Sequence, residues 1–548
     1  MISMKATMNG QAHGNPIGVI GRRTYTVNRV WHIVFLEGSM MTTDQAVLRE
    51  TLNVRNFGAV GDGQTKDTDA IAAAVAACAE AGGGTVYFPA GTYLTGPITM
   101  QSHMTLYVGA GATILGSPVY DDYPRRELRL EGTTKDLPLS LIFAKNAENI
   151  SIKGEGTIDG NGSAWWGKWS AWGGVIGMAH YKGIDNLTPE ERAEFDEAQR
   201  LSAPGRPRLV EFVECNRILV DGVTLQNSPM WTLHPLFCED VTINNVRLLN
   251  PPNSPNTDGI NPDSCKYVRI TNCHIDVGDD CITIKSGLDE EGRSTGRPCE
   301  QIAISNCTMV HGHGGVVIGS EMSGGVRDVS VSNCVMTRTN IGFRMKTKRG
   351  RGNVVENISV SNLVLNQVKT PLHITMHYGC GGLMPPEPVS DRTPVFRDIV
   401  ISNIHARDCE IAGQCYGLAE RNIQNVILSD IRITAKTGFE LKDACGIQFN
   451  QVHIDTDEGP CLACENVEDL TILDSFRKSR PETGHPIMRF DQVRGAYIRG
   501  GPHDPTCGTL IELHGDRTSD IRLSADGTDP NDGVFIDKSA AQAALVSQ

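Results

Sequence analysis

From residue 210 onward one phrase keeps returning: VTINNVRL (241–248), VRITNCHI (268–275), IAISNCTM (302–309), VSVSNCVM (329–336), ISVSNLVL (358–365), IVISNIHA (399–406) and VILSDIRI (426–433). Each is two short, alternating apolar runs broken by Asn, or once by Asp. Less regular members, ISIKGEGTI (150–158) and ILVDGVTL (218–225), come earlier. Successive starts in the later series lie 27, 34, 27, 29, 41 and 27 residues apart, and an uneven period of about 20–50 residues marks a solenoid. The runs are short, β-branched and of period two, so the coils are built from strands, not helices. Asn suits the break because it tolerates left-handed backbone and bonds locally. Stacked coil on coil, Asn245, Asn272, Asn306, Asn333, Asn362 and Asn403 would form an amide ladder. The expected architecture is all-β, a single-stranded right-handed parallel β-helix. A β-propeller would want more regular repeats of about 40–45 residues.

Repetition changes what length implies. A chain of 548 residues would ordinarily divide into several domains, but a solenoid lengthens without dividing. Before the repeats, Thr68-Asp69 leads into AIAAAVAACAEAGGG, an Ala-rich helix stopped by glycines. Such a helix, closing the open end of the coil stack, would hide its exposed strand edge.

The sixteen cysteines do not read as a disulfide framework. Cys273, Cys307 and Cys334 follow the break Asn in three successive coils, where free thiols pack as small hydrophobes. Reduced cysteines point to the cytoplasm, with secretion or the periplasm as the alternative. Cys461-Leu462-Ala463-Cys464 is a lone CxxC, and without a second pair its spacing makes a poor metal site. A net charge of −14 argues against nucleic-acid or membrane-surface partners. No apolar stretch is long enough to span a membrane. Near the N-terminus a twin Arg, Arg22-Arg23, precedes a short apolar run. That run lacks the length and the small-x-small site of a signal peptide, so residues 1–45 read as an extension or as a start assigned upstream of Met40 or Met41.

Four polar segments interrupt successive coils: SPNTDGINPDS (254–264), VGDDCITIKSG (277–287), HGHGGVVIGSEMSGG (311–325) and FRMKTKRGRGN (343–353). Each alone is an ordinary turn or solvated face. Together they differ, because segments one coil apart in sequence become neighbours about 4.8 Å apart. Three carboxylates, a His and a cationic cluster would then line one side of the solenoid. A protonated carboxyl to release the leaving sugar oxygen, beside ionised ones to activate water, is glycosidase equipment. Arg344, Lys346 and Lys285 would serve a substrate that itself bears carboxylates.

These segments resemble the four motifs of glycoside hydrolase family 28, the polygalacturonases and their relatives. They appear as Asn256-Thr257-Asp258, Gly278-Asp279-Asp280, Gly312-His313-Gly314 and Arg344-Met345-Lys346, in the family's order, with similarity from about residue 53 to about 455. The resemblance implies a right-handed parallel β-helix and an inverting hydrolase of α-1,4-galacturonosyl linkages, with no cofactor and no metal. It makes Asp279 the general acid, and Asp258 with Asp280 the groups that activate water. His313 would tune the acid, and Arg344 and Lys346 would grip the galacturonate carboxylate. Asn256, Lys285, Tyr378 and His234 are further substrate-binding candidates.

The expected substrate is a galacturonate-containing oligo- or polysaccharide, with rhamnogalacturonan or xylogalacturonan as the alternative within the family. A Ca²⁺-dependent pectate lyase or a non-catalytic carbohydrate-binding β-helix would be the rivals of another class. The oligomeric state is not legible. Trp165, Trp166, Trp169 and Trp172 cluster at the head of an insert over about 165–207, and TPEERAEFDEAQR within it reads as a helix capped by Thr188 and Glu191. The insert either packs onto the barrel or walls off one end of the cleft, which would favour exo action. By this reading the domains are the 1–45 extension, a catalytic β-helix over 46–500, and a C-terminal cap or tail over 501–548. Gly278 is expected to bend the chain so that Asp279 and Asp280 lean into one cleft.

Overall fold

One interior row shows how the repeats stack. Ile150, Ile218, Val241, Val268, Ile302, Val329, Ile358, Ile399 and Val426 are register partners in consecutive parallel strands, and all are buried. Each aliphatic side chain sits on the one below, so a single fully buried core runs the length of the stack. Burying each such side chain contributes roughly 1.5–3 kcal/mol.

In the computed structural model the described residues are 51–130, 132–166, 187–202, 205–476, 485–500, 509–524, 534–536 and 545–547. The reading of residues 1–45, and the parts assigned to Trp169 and Trp172, lie outside them. Among the described residues the fold is the expected right-handed parallel β-helix. The break residues have left-handed backbone throughout, with φ between 51° and 58° from Asn245 to Asn403. The amide ladder forms in part: Asn362 donates to Asn333 at 2.9 Å and Asn403 to Asn362 at 2.7 Å. Asn272 instead donates to the neighbouring Asn244.

Helix α1 spans Thr68–Glu80 and buries Ile71, Ala74, Val75 and Cys78 against the first coils. Its N-cap is Asp67, one residue earlier than the sequence suggests, and the carboxylate does not cap the helix. It accepts hydrogen bonds from the Val60 and Gly61 amides instead. Helix α2, Pro189–Ser202, opens with the expected capping box. Thr188 Oγ1 accepts from the Glu191 amide, and Glu191 Oε2 accepts from the Thr188 amide.

The coil stack does not stop at residue 500, where a cap or tail was expected to begin. Ile511–His514 pairs in parallel with Met488–Asp491, and Ser519–Ser524 with Arg494–Arg499. Their alternation of buried and exposed side chains is that of the earlier coils. The boundary looked like an end because the Asn phrase is missing there, though the strand period persists.

A β-hairpin, Arg125–Leu130 paired antiparallel with Thr133–Pro138, stands outside the coils. Leu128, Leu137 and Leu139 bury against Phe143, Val213 and Leu236, which project outward from the solenoid sheet. The hairpin is thus held on the outside of the barrel by its own small apolar core. Past its tip, Arg129 donates to Glu291 at 2.7 Å on helix α3, Asp289–Thr295.

Candidate active site

The acidic pair sits in a turn. One strand ends at Val277 and the next begins at Ile282, so Asp279 and Asp280 escape the alternation that would send them to opposite faces. Gly278 allows the bend, since a Cβ there would lie 2.2 Å from the Ser254 carbonyl oxygen. Its amide donates to Thr257 Oγ1 at 3.2 Å, and Thr257 Oγ1 lies 2.6 Å from Ser254 Oγ. Thr257 therefore ties the Asn-Thr-Asp segment directly to the Gly-Asp-Asp segment.

The three carboxylates converge. Asp258, Asp279 and Asp280 each place an oxygen within 4.8 Å of the others. Asp258 and Asp280 are buried, while the Asp279 side chain is 19% exposed and faces the cleft. His313 Nδ1 sits 3.1 Å from Asp279 Oδ1, on a turn where Gly312 has φ +83° and its Cα lies close against the Asp279 carbonyl. Lys346 Nζ donates to Asp280 Oδ2 at 2.8 Å. The Arg344 guanidinium and Lys346 Nζ both lie over the Tyr378 ring, at 5.4 and 5.0 Å.

Protons are unevenly distributed among these groups. Burial, reinforced by the charge of Asp279, pushes the Asp258 carboxyl well above the ordinary carboxylate range. Burial would raise Asp279 too, but the hydrogen bond and charge of His313 outweigh it and leave that carboxyl below its usual value. The same bond pushes His313 up. In the free protein the proton of the His313–Asp279 pair thus rests on the imidazole. Interacting sites this close titrate as a unit, and moving that proton to Asp279 would remove the charge that reinforces the effect of burial on Asp258.

This pairing has a pH signature. A raised His contributes stability that is complete below about 6.5, its unfolded value, and is lost as pH rises through the folded value. A depressed Asp contributes stability present above about 3.9, lost as pH falls through its folded value. His313→Ala should therefore lower the melting temperature most between about pH 4 and 6.5. It should also bring the alkaline limb of kcat to lower pH, since the proton no longer rests on an imidazole. Melting curves and rate profiles across that range check both effects.

Other candidates fall elsewhere. Lys285 is buried and its Nζ bonds Glu321 at 3.1 Å, with the Trp231 ring 4.7 Å away. Glu321 and Asp258 keep it charged despite burial, so it acts as a buried counter-charge to the carboxylates. His234 is a correction. It points outward from the sheet, as the repeat register implies, yet it is fully buried between Glu211 at 3.2 Å and Asp263 at 3.8 Å. The Asn256 amide oxygen accepts from Arg206 at 2.8 Å, so that oxygen serves the fold at the end of the insert. Trp165 packs on Tyr120 and Tyr123, and Trp166 Nε1 donates to the Ser228 carbonyl. Both tryptophans hold the insert onto the barrel.

Glu321 and Trp231 are parts of the site that motif reasoning passed over. Glu321 stands in the quoted segment HGHGGVVIGSEMSGG and Trp231 outside all four, and nothing in the sequence pairs them with Lys285. The carboxylate triad could in principle offer oxygens to Ca²⁺. However, Lys346 already occupies Asp280 and His313 occupies Asp279, so a divalent ion would have to displace two positive charges. The chemistry of the donor set fits a hydrolase better than a calcium site. Cys464 lies in the core with its thiol pushed up by burial, which disfavours the thiolate a metal needs.

A parallel β-helix with three converging carboxylates, a paired His and a basic patch defines a polysaccharide-acting hydrolase. Comparison with known proteins gives the family. The model of "Glycosyl hydrolases family 28" matches residues 194–456, and that of "Rhamnogalacturonase A/epimerase, pectate lyase-like" matches residues 51–166. A probable polygalacturonase of Vitis vinifera is 34% identical over 388 residues, covering 69% of this chain and 73% of that one. An exo-poly-alpha-D-galacturonosidase of Dickeya chrysanthemi is 26% identical over 449 residues, covering 76% and 73%. The crystal structure of a hyperthermoactive exopolygalacturonase from Thermotoga maritima superposes with a TM-score of 0.60 at 30% identity, covering 77% of this chain and 91% of that one. The chain belongs to glycosyl hydrolases family 28 and is a glycosidase of the polygalacturonase type.

Proposed function

We propose that this glycosidase hydrolyses α-1,4-galacturonosyl linkages of polygalacturonate and its oligosaccharides, by inversion and from a chain end. The observation that carries the acidic substrate is Arg344. Its guanidinium lies over Tyr378 beside the triad and forms no ion pair among the described residues, while Lys346 is held by Asp280. A half-buried, prepositioned guanidinium next to the reacting centre, with its Nε buried and without a hydrogen-bond partner, suits a uronate carboxylate. Asp279, the most open of the three carboxyls, with its proton reserve on His313, is the donor to the leaving oxygen. Asp258 and Asp280 hold and deprotonate the water.

Exo action is supported by what covers the sheet. Glu211 and His234 form the outward row on the N-terminal side of the triad, and Asn261 and Thr283 continue it through the triad's own coils; all four are fully buried. The hairpin at 125–138, clasped to α3 through Arg129, roofs that side. The same row then passes through the buried Val317 and continues C-terminally as Arg344, His373, Gln414 and Glu440, all partly open. A floor closed on one side and open on the other admits a chain by its end. The names of the Dickeya and Thermotoga relatives point the same way. The stacked free thiols Cys273, Cys307 and Cys334 support a reducing compartment as its place of action.

Chromatography of early products from polygalacturonate tests this reading. Monomer or dimer alone is expected, with no ultraviolet-absorbing unsaturated sugar and full activity in EDTA. A ladder of lengths would make the enzyme endo-acting, and an unsaturated, EDTA-sensitive product would make it a lyase.

A further inference from the structure

The floor of the cleft changes charge along its length. Strand register stacks Arg344, His373, Gln414 and Glu440 in successive rungs, so Glu440 stands three rungs, about 14 Å, beyond Arg344. Arg344 is the cation of this row. Burial, then Arg344 and Lys346, push His373 down to about 4, so its ring is neutral in the range where uronates are ionised. Gln414 is neutral as well. Its amide donates to Glu440 Oε2 at 3.1 Å and to Tyr416 Oη at 2.9 Å, and Tyr416 Oη donates to the same Glu440 oxygen. These two donors fix the Glu440 carboxylate in place. No cation pairs with it among the described residues, because the nearby Lys442 bonds Glu465 at 2.8 Å.

We propose that Glu440 is a specificity-determining residue that biases the enzyme toward short galacturonides over the long polymer. The proposal rests on the reading of the function given above. With the N-terminal side roofed, the leaving part of the substrate runs over Arg344 toward Glu440. Each sugar advances a chain by about one rung spacing. A trimer cut at its end leaves two sugars on this floor, which stop short of Glu440. A long polyuronide passes over it, and its carboxylates meet a fixed like charge. The half-buried setting strengthens that repulsion relative to water.

The test compares kcat/KM for trigalacturonate and for polygalacturonate, per chain end, in the wild type and Glu440→Gln. The amide keeps both hydrogen bonds' geometry and removes the charge. At low ionic strength the wild type should favour the trimer, and Glu440→Gln should raise the polymer value about fivefold while leaving the trimer value unchanged. A polymer-to-trimer ratio identical in the two proteins would overturn the proposal. The wild type alone gives an independent check, since added salt screens the repulsion and should raise the same ratio; a flat or falling ratio also overturns it. A wild type that cleaves neither substrate would remove the functional reading and this proposal together. An active wild type with an unchanged ratio would remove only the role of Glu440.

Discussion

Asp279→Asn should lower kcat on galacturonide substrates by about three orders of magnitude, within the usual range for a lost general acid, and should leave the fold intact. The amide can still accept from the Asp280 amide at the position of Oδ1, a 2.8 Å bond in the native protein, and the turn is held independently by Gly278 and Thr257. What disappears is the carboxyl that takes the His313 proton and passes it to the leaving oxygen. Reducing-sugar release measured beside circular dichroism separates the two effects. Unchanged release from a folded variant would remove Asp279 from the chemistry.

Lys346→Met should damage the protein in a second way. Lys346 and Asp280 are both buried, with side chains 9% and 2% exposed; Lys346 donates to Asp280 Oδ2, and Oδ1 has no hydrogen-bond partner. Removing one member of a buried pair leaves an uncompensated charge, at a cost of about 3–5 kcal/mol. Asp280 would be driven to take up a proton and could no longer activate water, so activity should fall with stability. The cause can be isolated by the double variant Lys346→Met/Asp280→Asn. If the lone charge is responsible, the second substitution should restore most of the lost stability in urea denaturation, though none of the activity. Additive losses would mean that packing, not charge, explains the effect.

The catalytic types were legible in the sequence because a solenoid converts sequence spacing into spatial stacking. Once the Asn phrase fixed the coils, Asp258, Asp279, His313 and Arg344 had to fall in neighbouring rungs. The bend at Gly278 was equally readable, since two acidic residues cannot share a face of a regular strand. His234 shows where this logic stops. Register correctly sends it outward, but whether an outward residue is open depends on what lies above it. The cover is the 125–138 hairpin, whose Leu128, Leu137 and Leu139 contact residues far along the chain. RRELRL and TTKDLPL have period two and could have been read as strands, but no repeat ties them to a place on the barrel. Lys285 and Lys346 were read as substrate contacts for a related reason. Both are positive and close to the site, but burial and the carboxylates of Glu321 and Asp280 decide what each touches. The coils past residue 500 carry no Asn phrase, so only their strand period marks them.

Inversion requires that Asp258 and Asp280 activate water rather than attack the sugar. The acid Asp279 has an oxygen within 4.8 Å of one on each of these two, closer than the ~6.5–9.5 Å usual where a water stands between acid and base. Both are buried and Asp280 is bound by Lys346, which disfavours either as a nucleophile that must travel to the anomeric carbon. The anomeric configuration of freshly released galacturonate, followed by proton NMR before mutarotation, decides the matter. Inversion gives the β-anomer first from the α-linked substrate. Initial appearance of the α-anomer would mean retention, and would make one of these carboxylates a nucleophile.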